Sequence, residues 1–142
     1  MTLAEIDAVE TTVRKTDEWL TEISEHLGWT DKRKAYHALR AVLHVLRDRL
    51  SPNEAAEFAA QMPLLVRGIY YEGWTPRERP ERMRHGDEFI SSVLDRMDWD
   101  TSAMEGSEVV NAVFSVMADH ISEGEVEDVK SVLPREIKDL WP

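Results

Sequence analysis

The chain of 142 residues contains no cysteine, and this absence limits both its covalent chemistry and its metal chemistry. Without thiols the protein cannot form disulfide bonds, use a cysteine nucleophile or bind a metal through sulfur. The amino-terminal stretch MTLAEIDAVETTVRK lacks the apolar core of a signal peptide, and the longest apolar runs are far shorter than a membrane span. From these features we expect a cytoplasmic protein that does not bind membranes.

Known catalytic sequence motifs are also missing. The chain contains no HExxH motif, phosphate-binding loop, dinucleotide-binding glycine pattern or nucleophile elbow. Acidic pairs such as Asp98 with Asp100 lie near predicted helix starts, where a carboxylate interacts favourably with the helix dipole. We therefore predict no catalytic residues, no cofactor and no bound metal.

Basic residues are scarce in the second half of the chain. Residues 1–85 hold 13 Lys and Arg against 14 Asp and Glu, whereas residues 86–142 hold 4 against 14. The net charge of the whole chain is −11. Because such a charge repels phosphates, nucleic acids are poor partners. The acidic half is typical of a solvated surface, or of a surface that attracts a basic partner or another copy of the chain.

Nearly every segment has the three- and four-residue apolar spacing of an amphipathic helix. Residues 3–27 form the first such segment, and Gly28 ends it. Thr16 is a candidate cap for a fresh helix start at Asp17, so residues 1–16 are predicted to be a helical arm or extension. Residues 75–85 contain two prolines and are predicted to be a connector.

Short capping signals mark the later helix boundaries. The stretch Ser51-Pro52-Asn53-Glu54 combines a serine cap, a proline at the first helical position and a capping-box glutamate. Ser122 with Glu125 predicts the same box again. Pro63 and Pro134 each predict a boundary between two helices.

The first half of the sequence is partly repeated in the second half. When residues 41–63 are aligned with residues 112–134, seven of 23 positions are identical and five more exchange one apolar residue for another. Most matching positions are apolar or helix-capping residues. A unit of this kind leaves an apolar face uncovered, so we expect two units to pack together about a pseudo-twofold axis.

These patterns predict an all-α fold, a single compact bundle of about seven or eight helices built from two tandem repeats. The domain is predicted to span residues 17–142, as repeat one (17–74), the connector (75–85) and repeat two (86–142). Helices near residues 35–50 and 109–121 are the most apolar, so they are expected to meet at the centre.

One polar position is retained in both repeats, as Asp48 and Asp119. Both lie near a predicted helix C-terminus, where the helix dipole disfavours an acid. We therefore predict that a local partner holds each carboxylate. The candidates are the equivalent residues Arg67 and Lys138, or backbone N–H groups that open the next helix.

A basic stripe follows one face of the second predicted helix at steps of four and three residues. Its members are Arg33, His37, Arg40, His44 and Arg47. The arginines disfavour a metal site between the histidines. The stripe is predicted to be a solvated cationic face, or alternatively a docking surface for an acidic partner, including the acidic half of another copy.

The stretch RGIYYEGW concentrates arginine and aromatic residues, which are common at binding hot spots. Tyr71 and Trp74 have no counterpart in the second repeat, and we predict that these two contact a partner if the segment does. The same pattern is typical of a helix end packed over a core. The connector carries Arg77, Arg79, Arg82 and Arg84, which suit a solvated linker or a weak anion site.

The stretches ALRAVLHVLRDRLSPNEAAEFAAQMPLLVRGIYYEGWTP and DEFISSVLDRM, with the degenerate second copy, resemble a bacterial family catalogued as domain of unknown function 2267. The resemblance covers about residues 17–142. It implies an all-helical domain without an established activity, and it supplies no catalytic or binding residues.

The sequence leaves three functions open. The first hypothesis is a non-enzymatic protein-interaction or regulatory module, with protein partners and self-association as its modes of binding. The second is a small-molecule-binding or enzymatic domain with its site between the repeats. The third, based on charge alone, is an acidic decoy for a basic nucleic-acid-binding protein.

Overall fold

A computed structural model describes residues 1–80 and 83–142. Within these residues the chain is all-α, with eight α-helices, a short 3-10 helix at Leu3–Glu5 and no strand. The α-helices are α1 (Asp7–Leu27), α2 (Lys32–Arg47), α3 (Pro52–Ala59), α4 (Leu64–Tyr71), α5 (Gly86–Arg96), α6 (Gly106–His120), α7 (Glu123–Ser131) and α8 (Arg135–Lys138). The predicted all-α class with about seven or eight helices is therefore confirmed.

The first helix is longer than the sequence predicted. Helix α1 runs unbroken through Thr16, which is buried and donates its hydroxyl hydrogen to the carbonyl oxygen of Thr12 at 2.7 Å. The predicted helix start at Thr16 is wrong because this hydroxyl bonds back along the same helix instead of capping a new one. Residues 7–16 thus continue the helix that packs on the core.

Capping signals located two other boundaries correctly. Gly28 ends α1 in the left-handed conformation at a φ of 66°, which glycine adopts without steric cost. The side chain of Ser51 accepts a hydrogen bond from the amide of Glu54, whose carboxylate accepts from the amide of Ser51, so the predicted capping box is confirmed.

The predicted second capping box is only half present. The side chain of Ser122 accepts from the amide of Glu125, as expected. The amide of Ser122, however, donates to the side-chain oxygen of Gln61 at 2.9 Å. The reciprocal bond is therefore replaced by a contact between the two halves of the chain.

The core is centred on α2 and α6, the two helices that the sequence predicted to meet. They contact each other, and both contact α1 and α5. Val42 and Val113, which the sequence alignment pairs, are both fully buried. Full burial of an aliphatic side chain contributes about 1.5–3 kcal/mol, so these two helices supply much of the apolar stabilisation.

Close packing between α5 and α6 depends on a glycine. A Cβ atom at Gly106 would lie 2.3 Å from Cγ2 of Ile90 and 3.0 Å from Cδ1 of Leu94. Only a residue without a side chain therefore fits the first turn of α6 at this distance from α5.

Candidate functional site

The last residue of α2, Arg47, is buried and joins α2 to the end of α4. Only 4% of its side chain is exposed. Its Nη1 donates to the carbonyl oxygens of Tyr70 and Glu72, both at 2.8 Å, and its Nε donates to Oδ1 of Asp48 at 3.0 Å. Carbonyl groups at a helix C-terminus lack partners within the helix, so a guanidinium group there satisfies them.

Asp48 links α2 to α5 through a second arginine. Its Oδ2 accepts a hydrogen bond from Nη1 of Arg96 at 3.2 Å. The predicted partner, Arg67, instead donates to three carbonyl oxygens around the end of α3, at distances of 3.0–3.2 Å. The prediction that Arg67 or amide groups of the next helix hold Asp48 is therefore wrong, because the adjacent arginine and α5 supply its partners.

The equivalent position in the second half is not held in this way. Asp119 is exposed on α6, and its side chain forms no hydrogen bond or ion pair with any residue in the described part of the chain. The side chain of Lys138, on α8, also forms no hydrogen bond or ion pair with any described residue. The prediction of a local partner is wrong for Asp119 because this carboxylate is hydrated at the protein surface.

Arg47, Asp48 and Arg96 form part of the wall of a cavity of about 250 Å³ at the C-terminal end of α2. We call it the arginine cavity; its charged and aromatic lining consists of Arg47, Arg49, Arg77, Arg96, Asp48 and Trp74. The other lining residues that the structure describes are uncharged, so the described lining carries a formal charge of +3. In a chain of net charge −11, this concentration of guanidinium groups favours a bound anion.

Trp74 places an aromatic ring beside these arginines. The preceding Gly73 has a φ of 69°, and the turn lets the amide of Trp74 donate to the carbonyl oxygen of Tyr71 at 3.0 Å. The rings of Tyr71 and Trp74 lie 5.3 Å apart, and Tyr71 contacts the buried Tyr70 in turn. Both residues are half-buried and pack against the core.

The five residues of the predicted basic stripe do not share one environment. Arg33 is exposed, His37 and Arg40 are half-buried, and His44 and Arg47 are buried. The prediction of one solvated cationic face is wrong for the last two, because α4 packs against this part of α2. A docking surface that needs all five side chains is therefore not present.

The middle of the stripe holds α4 in place. The Nε2–H of His44 donates to the carbonyl oxygen of Ile69 at 2.7 Å, and burial lowers the pKa of this imidazole, with the nearby arginines adding to the effect. Arg40 forms an ion pair with Glu72 at 2.6 Å, and its hydrogen bond lowers the pKa of that carboxyl. His37 lies against Trp99, with ring centroids 5.6 Å apart.

A second cavity of about 420 Å³ adjoins the first, because Arg49 and Pro80 line both. We call it the apolar cavity; its remaining lining residues are Met83, Arg84, Ser131, Val132, Leu133 and Pro134. Val132 is 45% exposed. The second cavity therefore offers apolar surface directly beside the guanidinium groups.

The connector contributes to both cavities. Of its arginines, Arg77 lines the arginine cavity and Arg84 lines the apolar cavity, whereas Arg79 lines neither. Glu81 and Arg82 lie outside the described residues. The predicted weak anion site is thus close to the arginines of α2 and α5.

Two residues of the arginine cavity, Arg49 and Arg96, were missed by the sequence analysis. Arg49 follows the end of α2, and Arg96 is the last residue of α5. Neither has a motif around it, and they approach each other only because α2 packs against α5. The one available sequence signal was that each lies at a helix C-terminus, where cations are favoured.

Residues 1–80 and 83–142 contain no group of three or more His, Asp or Glu side chains placed to hold a metal ion. None of the helices that the structure describes has both the length and the apolar composition needed to cross a membrane.

The model of a family described as "uncharacterized conserved protein (DUF2267)" matches residues 16–140. No curated protein matches the chain.

Proposed function

Since the chain belongs to the DUF2267 family of uncharacterised conserved proteins, we propose a function from its own geometry: it is a non-enzymatic module that binds an acidic segment of a partner protein at the arginine cavity. One observation carries this proposal. Four arginines and Trp74 surround a single cavity in a chain that is otherwise strongly acidic.

The chemistry of the lining suits recognition better than catalysis. A guanidinium group stays protonated at physiological pH and presents up to five N–H donors in a planar fork, which matches the oxygens of a carboxylate. It does not exchange a proton during a reaction as an imidazole does. Arginine and tryptophan are also the residues most enriched at binding hot spots.

The charge of the whole chain favours a short acidic segment over a polyanion. A nucleic acid or an anionic membrane would place many phosphates near the acidic second half, where residues 86–142 hold 14 Asp and Glu against 4 Lys and Arg. One or two carboxylates of a peptide avoid this repulsion, because they enter a cavity whose lining is positively charged.

A small anionic molecule is the second candidate occupant. The arginine cavity lies between the two halves of the chain, since Asp48 belongs to the first half and Arg96 to the second. This is where the second hypothesis placed a small-molecule site. The acidic-decoy hypothesis rests on the charge of the second half and stays a prediction, as do self-association and a cytoplasmic location.

The tandem-repeat origin of the fold is also part of this proposal. Helices α1 to α4 match α5 to α8 in order, and the sequence alignment pairs them in that order. A twofold exchange of the halves requires that a contact of α1 with α6 be accompanied by one of α2 with α5, and both contacts are present. Likewise α3 packs against its proposed counterpart, α7.

A peptide selection tests the proposed function. A displayed library of random peptides is selected on the wild-type protein, and the affinity of the enriched peptides is then measured for two variants. Arg77→Ala removes an exposed cavity arginine, while Arg79→Ala makes the same change of charge two residues away, outside both cavities. We expect acidic peptides, bound about fivefold more weakly by Arg77→Ala and equally well by Arg79→Ala.

Binding should also weaken as salt is added, because the contact is electrostatic. Enriched peptides without Asp or Glu, or an equal loss of affinity in the two variants, would contradict the proposed function. Competition by inorganic phosphate at concentrations well below those of the buffer salt would favour the small-molecule alternative.

A further inference from the structure

We infer that the partner segment is bipartite: an acidic side chain occupies the arginine cavity while a large apolar side chain of the same segment occupies the neighbouring apolar cavity. This inference rests on the proposed function and adds a second requirement to it. It makes the module specific for a combination of residues rather than for negative charge alone.

The two cavities are neighbours on the protein surface. Arg49 and Pro80 form a shared wall, so the cavities of about 250 and 420 Å³ lie on either side of the same two residues. Side chains two residues apart in an extended peptide point to the same face and lie about 6.6 Å apart along the chain. A single short segment can therefore place one side chain in each cavity.

The apolar cavity has a surface that an aliphatic or aromatic residue would cover. Val132 is 45% exposed, while Met83 and Leu133 line the same cavity. Removing such surface from water stabilises a complex by about 25 cal/mol for each Å² buried. Methionine adapts its shape to different partners, so the cavity accepts more than one kind of apolar side chain.

Charge complementarity identifies the occupant as acidic. The apolar cavity itself carries Arg84 on its wall, and the shared wall carries Arg49. Among the described lining residues both cavities present cations, and Asp48 is the one carboxylate, so a basic segment would be repelled and a neutral apolar segment would leave the cations without a partner. An acidic segment with an apolar anchor satisfies both parts of the surface.

Double-mutant cycles between the protein and the selected peptides test the inference. In each enriched peptide, the acidic residue is changed to its amide and, separately, the large apolar residue to alanine. The protein variants are Arg77→Ala for the arginine cavity and Val132→Ala for the apolar cavity. Val13→Ala is the matched control, because Val13 is 54% exposed on α1 and lines neither cavity.

We expect two separate couplings. The amide substitution should weaken binding to wild-type protein about fivefold and cost clearly less with Arg77→Ala. The apolar-to-alanine substitution should weaken binding to wild-type protein about tenfold and cost clearly less with Val132→Ala, whereas it should keep its full effect with Val13→Ala. Thermal unfolding of each variant checks that the fold is intact, as expected for changes at exposed side chains.

The possible failures are distinguishable. Coupling to Arg77 without coupling to Val132, or enriched peptides that lack a large apolar residue, would overturn the bipartite site and leave the proposed function standing. If the amide substitution weakens binding equally to wild-type protein and to Arg77→Ala, the proposed function is overturned, and the inference with it.

Discussion

Replacing Arg47 by methionine isolates the contribution of the buried guanidinium group. Methionine keeps an unbranched apolar stem of similar length but has no donor. The carbonyl oxygen of Tyr70, which is buried, and that of Glu72, which is partly buried, each lose a hydrogen bond of 2.8 Å. Asp48 loses one partner but keeps Arg96.

The expected loss follows from these contacts. A buried polar group without a partner costs about 1–3 kcal/mol, and a partly buried one costs less because water reaches it. We expect Arg47→Met to lower the free energy of unfolding by about 2–4 kcal/mol, a large part of the roughly 5–15 kcal/mol that stabilises a typical domain. For a chain of this size the melting temperature should fall by roughly 6–12 °C.

Urea unfolding followed by far-ultraviolet circular dichroism measures this difference. Arg33→Met is the matched control, since it makes the same chemical change on the same helix at a fully exposed position. We expect no measurable change for the control. If the two variants unfold at the same urea concentration, the hydrogen bonds from Arg47 to the end of α4 do not stabilise the fold.

Three further experiments test other contacts. Gly106→Ala should destabilise the protein by about 1–3 kcal/mol, because its Cβ would lie 2.3 Å from Cγ2 of Ile90. Gly124→Ala should instead stabilise it by about 0.5–1 kcal/mol, because the new Cβ lies in open space within α7. Chemical unfolding of both variants measures whether the free energy of unfolding falls for the first and rises for the second. Because burial lowers the pKa of His44, the unfolded chain binds more protons than the folded chain in mild acid, so stability should fall as the pH drops below about 6.5. Urea titrations across this pH range should show a smaller fall for His44→Gln, and a fall of equal size in both proteins would contradict the assignment. Tyr70→Phe removes a buried hydroxyl that donates to a carbonyl oxygen at 3.0 Å and should cost about 1 kcal/mol in the same assay, while an unchanged stability would show that water replaces the bond.

Helix boundaries were predictable from the sequence wherever the information lay within one turn. Ser51 and Glu54 hydrogen-bond to each other, Pro52 suits the first helical position, and Gly28 needs only its own backbone freedom. Ser122 has the same local pattern, yet its amide finds Gln61, which is 61 residues away in the sequence. At Thr16 the local signal was misleading. Threonine is a good capping residue, but here it lies inside α1, which continues through it.

The candidate site depends almost entirely on contacts that are distant in sequence. The spacing of the basic stripe places Arg47 on one face of α2 but does not show that α4 covers that face. Likewise no pattern near Arg96 indicates that it meets Asp48, 48 residues earlier. Trp74 was identified as a candidate because aromatic residues beside arginine are common at hot spots, whereas Arg77 was predicted only as part of a solvated linker or a weak anion site. Their place beside one cavity required the packing of α2, α4 and α5.

Asp48 occupies the position of a built-in counterion. In the free protein its carboxylate lies between the guanidinium groups of Arg47 and Arg96 and offsets their mutual repulsion. An arriving anion competes with this resident group for the same donors, so weak or diffuse negative charge gains little from displacing it. Under the proposed function, Asp48 thus sets a threshold for the strength of the ligand, and removing its carboxylate should let weaker anions bind.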